Sequence, residues 1–287
     1  MIYLITVNYY STALIQTLLA SISPSPVDYR LIVVNNSPGD RQLASLTQPQ
    51  VQIIEAKANL GFGAGCNLAL ERVYHQDPDA TAWLINPDTT LTPQALEQAV
   101  QFCSHHADKS IIGCVIAQPD GRIWFAGGEF NPSTGLIIAR ETLPDSPPTY
   151  WNTAWVTGCS MLLNLSNFTP CPQFDDSFFL YYEDFDFCRR YLAQGHSVGV
   201  TGTIKIVHYP SSITQRHRTV ALRHSTCSYL LALRRHTHWQ VFGYRLGRIL
   251  AHALRVIPIK PHRSLAIIGG VYDYSRRVQS LGKFRWH

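Results

Sequence analysis

The sequence predicts an α/β protein: a Rossmann-like mixed, mainly parallel sheet with flanking helices, followed by a basic helical extension. Three observations carry this reading. Short β-rich runs alternate with helical stretches through the first hundred residues, the helical pattern gives out between Ile111 and Leu163, and the charge balance changes sign near His217.

The first alternation pairs strand Ile2–Val7 with helix Thr12–Ile22, strand Arg30–Asn35 with helix Asp40–Leu46, and strand Val51–Glu55 with helix Ala64–His75. Strand Thr81–Asn86 then precedes a helix with Thr92 as N-cap and Pro93 at its first position. In open sheets of this kind ligands lie beyond the carboxyl ends of the strands, so Asn8, Asn35, Asn59 and Asn86 to Asp88 are expected to converge on one crevice. Asp120-Gly121 between two apolar runs reads as a hairpin turn. Helical pattern returns at Glu183–Gln194, stopped by Gly195, and strand-like segments follow up to His208. Thr219–Trp239 and Val241–Ile257 set apolar residues against Arg and His at helical spacing, before the break Pro258-Ile-Lys-Pro261.

With 287 residues and 46% hydrophobic side chains, the chain can bury one substantial core and carry a smaller appendage. The N-terminus, Met1-Ile-Tyr-Leu-Ile-Thr-Val-Asn8, lacks the basic start and small-residue cleavage site of a signal peptide. No run reaches the roughly 18 uninterrupted apolar residues of a spanning helix. Seven scattered cysteines suit a reducing, cytoplasmic compartment and read as small buried hydrophobes. From His217 onward there are 13 Lys or Arg against one acid, Asp273, so a tail near +12 follows a body near −7. Such a tail meets phosphate. No nucleic-acid-binding motif accompanies it, which leaves lipid headgroups.

Trp83-Leu-Ile-Asn-Pro-Asp88-Thr-Thr ends a hydrophobic strand in a turn that presents one carboxylate at the sheet edge. Mg²⁺ and Mn²⁺ take carboxylate oxygens together with substrate phosphates, and Mn²⁺ accepts imidazole as well. Asn-Pro-Asp-Thr also satisfies ordinary turn chemistry with no ligand. Phe174-Asp-Asp-Ser-Phe-Phe-Leu-Tyr-Tyr-Glu183-Asp184-Phe-Asp186 brings an aromatic run and paired acids to the first turn of a helix. The helix dipole alone favours acids there by about 0.3–1 kcal/mol. Aromatic walls beside an ionised carboxylate also suit a sugar ring and a general base, which singles out Asp184. His208 completes a metal site with Asp88 if their two strands end near each other; a lone histidine is otherwise structural. Asn59-Leu-Gly-Phe-Gly-Ala-Gly-Cys-Asn67 joins a strand to a helix, where bare backbone can approach a phosphate. It is not the dinucleotide fingerprint, because it follows the third strand and reads Gly-x-Gly-x-Gly.

Together these segments resemble the GT-A-fold glycosyltransferases of family 2, in particular the rhamnosyltransferase-like branch that builds bacterial cell-surface polysaccharides, over about residues 2 to 215. The carriers are Thr6-Val-Asn-Tyr9, Val33-Val-Asn-Asn-Ser37, Asn59 to Asn67, Leu84-Ile-Asn-Pro-Asp88, Thr157-Gly-Cys-Ser-Met161, Phe178 to Asp184 and Val207-His208. The resemblance implies a catalytic domain over 1–215, with a nucleotide-binding half (1–110) and an acceptor-binding half (111–215), and a C-terminal extension over 216–287. It implies that Asn8 and Asn35 contact the base and ribose, and that Asn59, Gly61, Gly63, Asn67 and Asn86 surround the donor. Asp88 matches the metal-binding acid of the DXD motif, His208 a further metal ligand, and Asp184 the catalytic base with Glu183 beside it. The implied cofactor is Mn or Mg, the donor a UDP- or dTDP-sugar such as a rhamnosyl donor, and the acceptor a hydroxyl of a glycan or lipid-linked glycan, attacked with inversion. Two positions depart from the pattern: Asn35 stands where the family usually has Asp, and Asn86 occupies the first acidic position of DXD.

The extension is expected to lie on the anionic inner face of the cell membrane through Arg234, Arg235, Arg245, Arg248 and Arg255, or alternatively to pack on the catalytic body or form an oligomer interface. A competing reading is a catalytically silent module that binds nucleotide sugar or partner proteins.

Overall fold

The structure, a computed structural model, describes residues 1–22, 25–209 and 218–280. Strand β1 (Ile2–Asn8) is buried along its whole length and leads into helix α1 (Thr12–Ile22), whose Ile15, Leu18, Leu19 and Ile22 form the stripe facing the sheet. β2 (Tyr29–Asn35) and β3 (Val51–Glu55) follow, then α2 (Phe62–Gln76), β4 (Thr81–Ile85), the short β5 (Thr89–Leu91) and α3 (Ala95–His105). The second half holds β6 (Ile111–Ala117), β7 (Ile123–Phe125), β8 (Gly128–Asn131), β9 (Leu136–Ala139), β10 (Tyr150–Asn152) and β11 (Ser160–Asn164). Helix α4 (Glu183–Ala193) and the 11-residue β12 (Val198–His208) complete the sheet, and α5 (Arg218–His236), α6 (Trp239–Val256) and α7 (Pro261–Ser280) form the extension.

Ten of these strands make one mixed sheet with the backbone order β10-β12-β6-β11-β4-β1-β2-β3. The half containing β3, β2, β1 and β4 is parallel, as the alternation predicts. β11 runs antiparallel to both β4 and β6, which joins the halves and mixes the sheet. The Asp120-Gly121 turn links β6 to β7 antiparallel, as expected.

Two expected helices are corrected. Residues 41–45 form only a 3₁₀ turn, because Asp40 caps it through Gln42 N while its other carboxylate oxygen is held by Asn8 and Thr12. Thr92 does not cap a helix either. β5 pairs with β12 immediately before it, the Thr92 hydroxyl donates to Lys205 O, and α3 begins at Ala95 after a left-handed Gln94.

A large core built on Trp83, the β-strand valines and isoleucines and the helix faces fills the sheet domain. A second cluster, Phe178, Phe185, Leu230, Leu231 and Leu233, joins α5 to the acid-bearing segment 174–186. The extension is therefore packed on the body. Arg235 belongs to that contact: its guanidinium reaches Asp175 (2.8 Å), Ser177 (3.0 Å) and Asp186 (3.1 Å) and lies over the Phe178 ring. Arg234 donates to Tyr274. These two arginines are thus engaged within the protein, correcting the expectation that they face lipid. Six of the seven cysteines are buried and all are free. Among the described residues, no helix is long and apolar enough to cross a membrane.

Candidate active site

The register Asn8↔Asn35↔Glu55 aligns the carboxyl ends of β1, β2 and β3, and β4 delivers Asn86–Asp88 on the same edge. The asparagines there are tied to one another. Asn8 Nδ2 donates to Asn35 Oδ1, Ser37 Oγ and Asp40, while Asn8 Oδ1 accepts from the N–H and hydroxyl of Ser11. Asn35 Nδ2 donates to Glu55 at 2.7 Å. Asn36 reaches the glycine-rich loop, donating to Asn59 Oδ1 and Gly61 O and accepting from Leu60 N. Buried amides with all groups satisfied fix the shape of a sheet edge, because leaving any of them unpaired costs about 1–3 kcal/mol. Asn36 and Ser37 lie in the Asn-Asn-Ser run that carries the resemblance but are given no role there, and Asp40 reads only as a helix start.

The glycine-rich loop packs against the second acidic segment. Gly61 has φ +86°, and a Cβ on it would fall 2.0 Å from Phe179 O. Phe62 N donates to that same carbonyl. Gly63 lets the Phe174 ring sit on the start of α2, and Asn67 is bonded through both amide groups to the Phe174 backbone. Gly61, Gly63 and Asn67 therefore seat segment 174–179.

That segment enters α4 through two consecutive left-handed residues, Tyr181 (φ 70°) and Tyr182 (φ 62°). Each such residue stores roughly 1–3 kcal/mol of strain, held in place by the surrounding packing. The turn aims Asp184 at Gly158: one carboxylate oxygen accepts from Gly158 N at 2.9 Å and the other from Phe185 N at 2.8 Å. A side chain at Gly158 would strike Phe62, so Thr157-Gly-Cys is part of the site that the sequence matched without assigning it a role. Glu183 is buried and its Oε2 has no partner. Burial, and then the Asp184 charge, push the Glu183 carboxyl well above the usual carboxylate range. Burial raises Asp184 too, against its hydrogen bonds from Gly158 and Phe185.

Pairing of Thr89 with His208 in the β5–β12 ladder brings the ends of these strands together, and Tyr209 N donates to Asp88 O. His208 Nε2 lies 3.4 Å from Asp88 Oδ2, with Trp124 against the imidazole face. Both residues are only 7% exposed, yet Asp88 Oδ1 and His208 Nδ1 have no hydrogen-bond partner. Orphaned buried acceptors cost free energy unless something completes them. A carboxylate plus an imidazole is a donor set that fits Mn²⁺ or Mg²⁺ when substrate phosphate oxygens supply the rest. Among the described residues, no group of three or more His, Cys, Asp or Glu could hold a metal alone. Asn86 N is bonded to Cys159 O, and burial, then the charges of Asp88 and Asp184, push the Cys159 thiol up. Since Asp184 is bonded to Gly158 N and Asn86 N to Cys159 O, the adjacent pair Gly158-Cys159 stands between the two acidic motifs.

Residues 2–163 match the profile of glycosyl transferase family 2. The chain is 24% identical over 260 residues to the N-acetylglucosaminyl-diphospho-decaprenol L-rhamnosyltransferase of Mycobacterium tuberculosis, covering 82% of this chain and 85% of the relative. It is 24% identical to the rhamnosyltransferase WbbL of Escherichia coli, over 73% of this chain and 83% of that one. Its fold superposes on GalNAc-T7, solved with UDP, GalNAc and Mn²⁺, with a TM-score of 0.61 at 11% identity, over 98% of this chain and 57% of that chain. The mannosyltransferase PcManGT of Pyrobaculum calidifontis, solved with GDP-Man and Mn²⁺, gives 0.55 at 12% identity, over 96% and 86% of the two chains.

Proposed function

The chain belongs to glycosyl transferase family 2, has the GT-A fold and is a glycosyltransferase, and on that premise we propose that it moves a hexosyl or deoxyhexosyl group from a UDP- or dTDP-sugar to a hydroxyl of a glycan or lipid-linked glycan. Rhamnose is the sugar named for two of its relatives. The observation that carries the reading is the Asp88–His208 pair, each with an orphaned buried atom, with Asp184 joined to the same strand end through Gly158-Cys159.

Asp88 and His208 would hold a divalent metal, Mn²⁺ or Mg²⁺, which when bound supplies charge to stabilise a departing diphosphate. Asp184 accepts the proton of the attacking hydroxyl. Its two backbone hydrogen bonds hold the carboxylate in one orientation, and its raised pKa strengthens it as a base. Attack from the face opposite the departing diphosphate gives inversion, and the Asn8, Asn35, Asn36 and Asn59 network shapes the donor end of the cleft. In the extension, Leu254, Ile257, Ile259 and Leu265 are 45–74% exposed around the α6–α7 turn, beside Arg255 and Lys260. That tip supports attachment of the extension to the anionic inner face of the membrane, where each well-placed cation contributes about 1 kcal/mol.

The test combines turnover with donor binding. Asp184→Asn should lower kcat roughly 100- to 10,000-fold and leave the melting-temperature rise with UDP or dTDP plus Mn²⁺ intact. Asp88→Asn should abolish the metal dependence of that rise. Full turnover in Asp184→Asn, or a wild-type protein stabilised by neither nucleotide, would overturn the reading.

A further inference from the structure

The acid-bearing segment 174–186 is gripped from two sides. The glycine-rich loop and α2 hold one side, through the Phe62 N–H bond to Phe179 O and the Asn67 bonds to the Phe174 backbone. The extension holds the other side at one residue after another. The His224 ring lies 4.8 Å from that of Phe179, and the Ser228 hydroxyl donates to Leu180 O at 2.8 Å. Tyr229 packs on Tyr182, Arg277 donates to Ser177 O, and Arg235 and His236 meet Asp186. His224, Ser228 and Arg235 are spaced i, i+4 and i+11, so they share one face of α5.

The contact at Leu180 has the most consequence for Asp184. Leu180 immediately precedes Tyr181 and Tyr182, the consecutive left-handed pair through which the chain enters α4. Side chains with a Cβ leave the left-handed region unless their surroundings hold them there. Rotation at either residue would turn the chain before α4 and carry the Asp184 carboxylate off Gly158 N, from which it accepts at 2.9 Å. On the far side of the pair, the turn is fixed by α4, where Asp186 N donates to Tyr182 O. On the near side it is fixed by Ser228, which is only 2% exposed, so water does not compete for its hydroxyl. Apolar packing alone would attach α5 here but is non-directional. A buried hydroxyl aimed at one carbonyl sets the direction of the chain.

We propose that α5 is a working part of the transfer site, in which Ser228 is a positioning residue: through Leu180 O and the left-handed pair it keeps Asp184 on Gly158 N. The effect on turnover rests on the reading of Asp184 as proton acceptor; the effect on the Asp184–Gly158 bond does not depend on that reading.

The test uses the full chain labelled with ¹⁵N-glycine and compares Ser228→Ala with Ser264→Ala. Ser264 is a matched control, because its buried hydroxyl also donates to a backbone carbonyl at 2.8 Å, that of Ala253, and it belongs to the α6–α7 contact. Ser228→Ala should speed amide exchange at Gly158 by roughly tenfold or more and leave Gly113, in the core strand β6, at the wild-type rate. It should also lower kcat by about tenfold or more with the donor KM within about twofold, since a misplaced base costs turnover rather than donor binding. Ser264→Ala should change neither. Unchanged Gly158 exchange in Ser228→Ala overturns the proposal, as does faster exchange at Gly158 and Gly113 together, which would mean general loosening. Equal effects of the two variants, or faster Gly158 exchange with wild-type kcat, overturn it as well. A wild-type protein that transfers no sugar from UDP- or dTDP-linked donors would overturn the glycosyltransfer reading instead, and the Gly158 exchange would still decide whether Ser228 holds Asp184.

Discussion

Glu183 and Asp184 are adjacent in sequence and opposite in circumstance. Asp184 has two backbone donors, whereas Glu183 is buried with one oxygen unpartnered. A carboxyl whose folded pKa lies above its unfolded value binds its proton more tightly when folded. Its stabilising contribution is therefore complete below the unfolded pKa and is lost as pH rises through the folded one. Replacing Glu183 by Gln removes that loss. The expected result is a variant that matches wild type in melting temperature near pH 4, exceeds it increasingly as pH rises toward about 8 and by a constant amount above that; a constant difference at all pH values would show that Glu183 is not the titrating group. The sequence located both acids through their place at a helix start. It could not distinguish them, because burial and the Gly158 N–H come from elements distant in the chain.

At the scale of elements, the junction between α4 and α5 is the least expected feature. Asp186 is fully buried and meets Arg190 at 2.7 Å, Arg235 at 3.1 Å and His236 at 2.9 Å. Burial alone would raise its carboxyl, but the His236 hydrogen bond and the charges of Arg235 and Arg190 outweigh it and hold the pKa at about 2. This stabilisation is present above the ordinary carboxylate range and lost as pH falls toward 2. Asp186→Asn leaves buried cations short of a partner and should destabilise the protein by about 3 kcal/mol at neutral pH, measured by urea unfolding, with the gap closing in acid. A loss below about 0.5 kcal/mol, the range of surface substitutions, would mean that water replaces the carboxylate. The i, i+4 spacing of Asp186 and Arg190 is visible in the sequence. The partnership with Arg235 and His236, some fifty positions away, is not.

For the whole molecule, the separation into an acidic body and a basic tail has two consequences. Part of the tail's charge is consumed at the α4–α5 contact, and the rest is displayed on α6 and α7 beside exposed leucines and isoleucines. If this tip meets the membrane, Leu254→Asp/Ile257→Asp should reduce co-sedimentation with phosphatidylglycerol vesicles by at least tenfold without altering the nucleotide-dependent melting shift. Wild-type binding should also weaken with salt, because its electrostatic part is screened within about 10 Å at 0.1 M. Unchanged sedimentation of the variant would assign the tip another role.

Local pattern alone determined the strand–helix alternation, the carboxyl-edge asparagines, Asp88, the acid pair and the basic helices, because period, caps and turn residues act within a few positions of themselves. Tertiary structure decided which of these meet. The pairing of β5 with β12 brings His208 to Asp88. The Asn67–Phe174 bonds and the bare backbone of Gly61 seat the acidic segment beside the first sheet edge. The packing of α5 on Phe178 and Phe185 turns a basic tail into a wall of the same molecule. Each depends on contacts between residues tens to more than a hundred positions apart, and no window of sequence contains both partners.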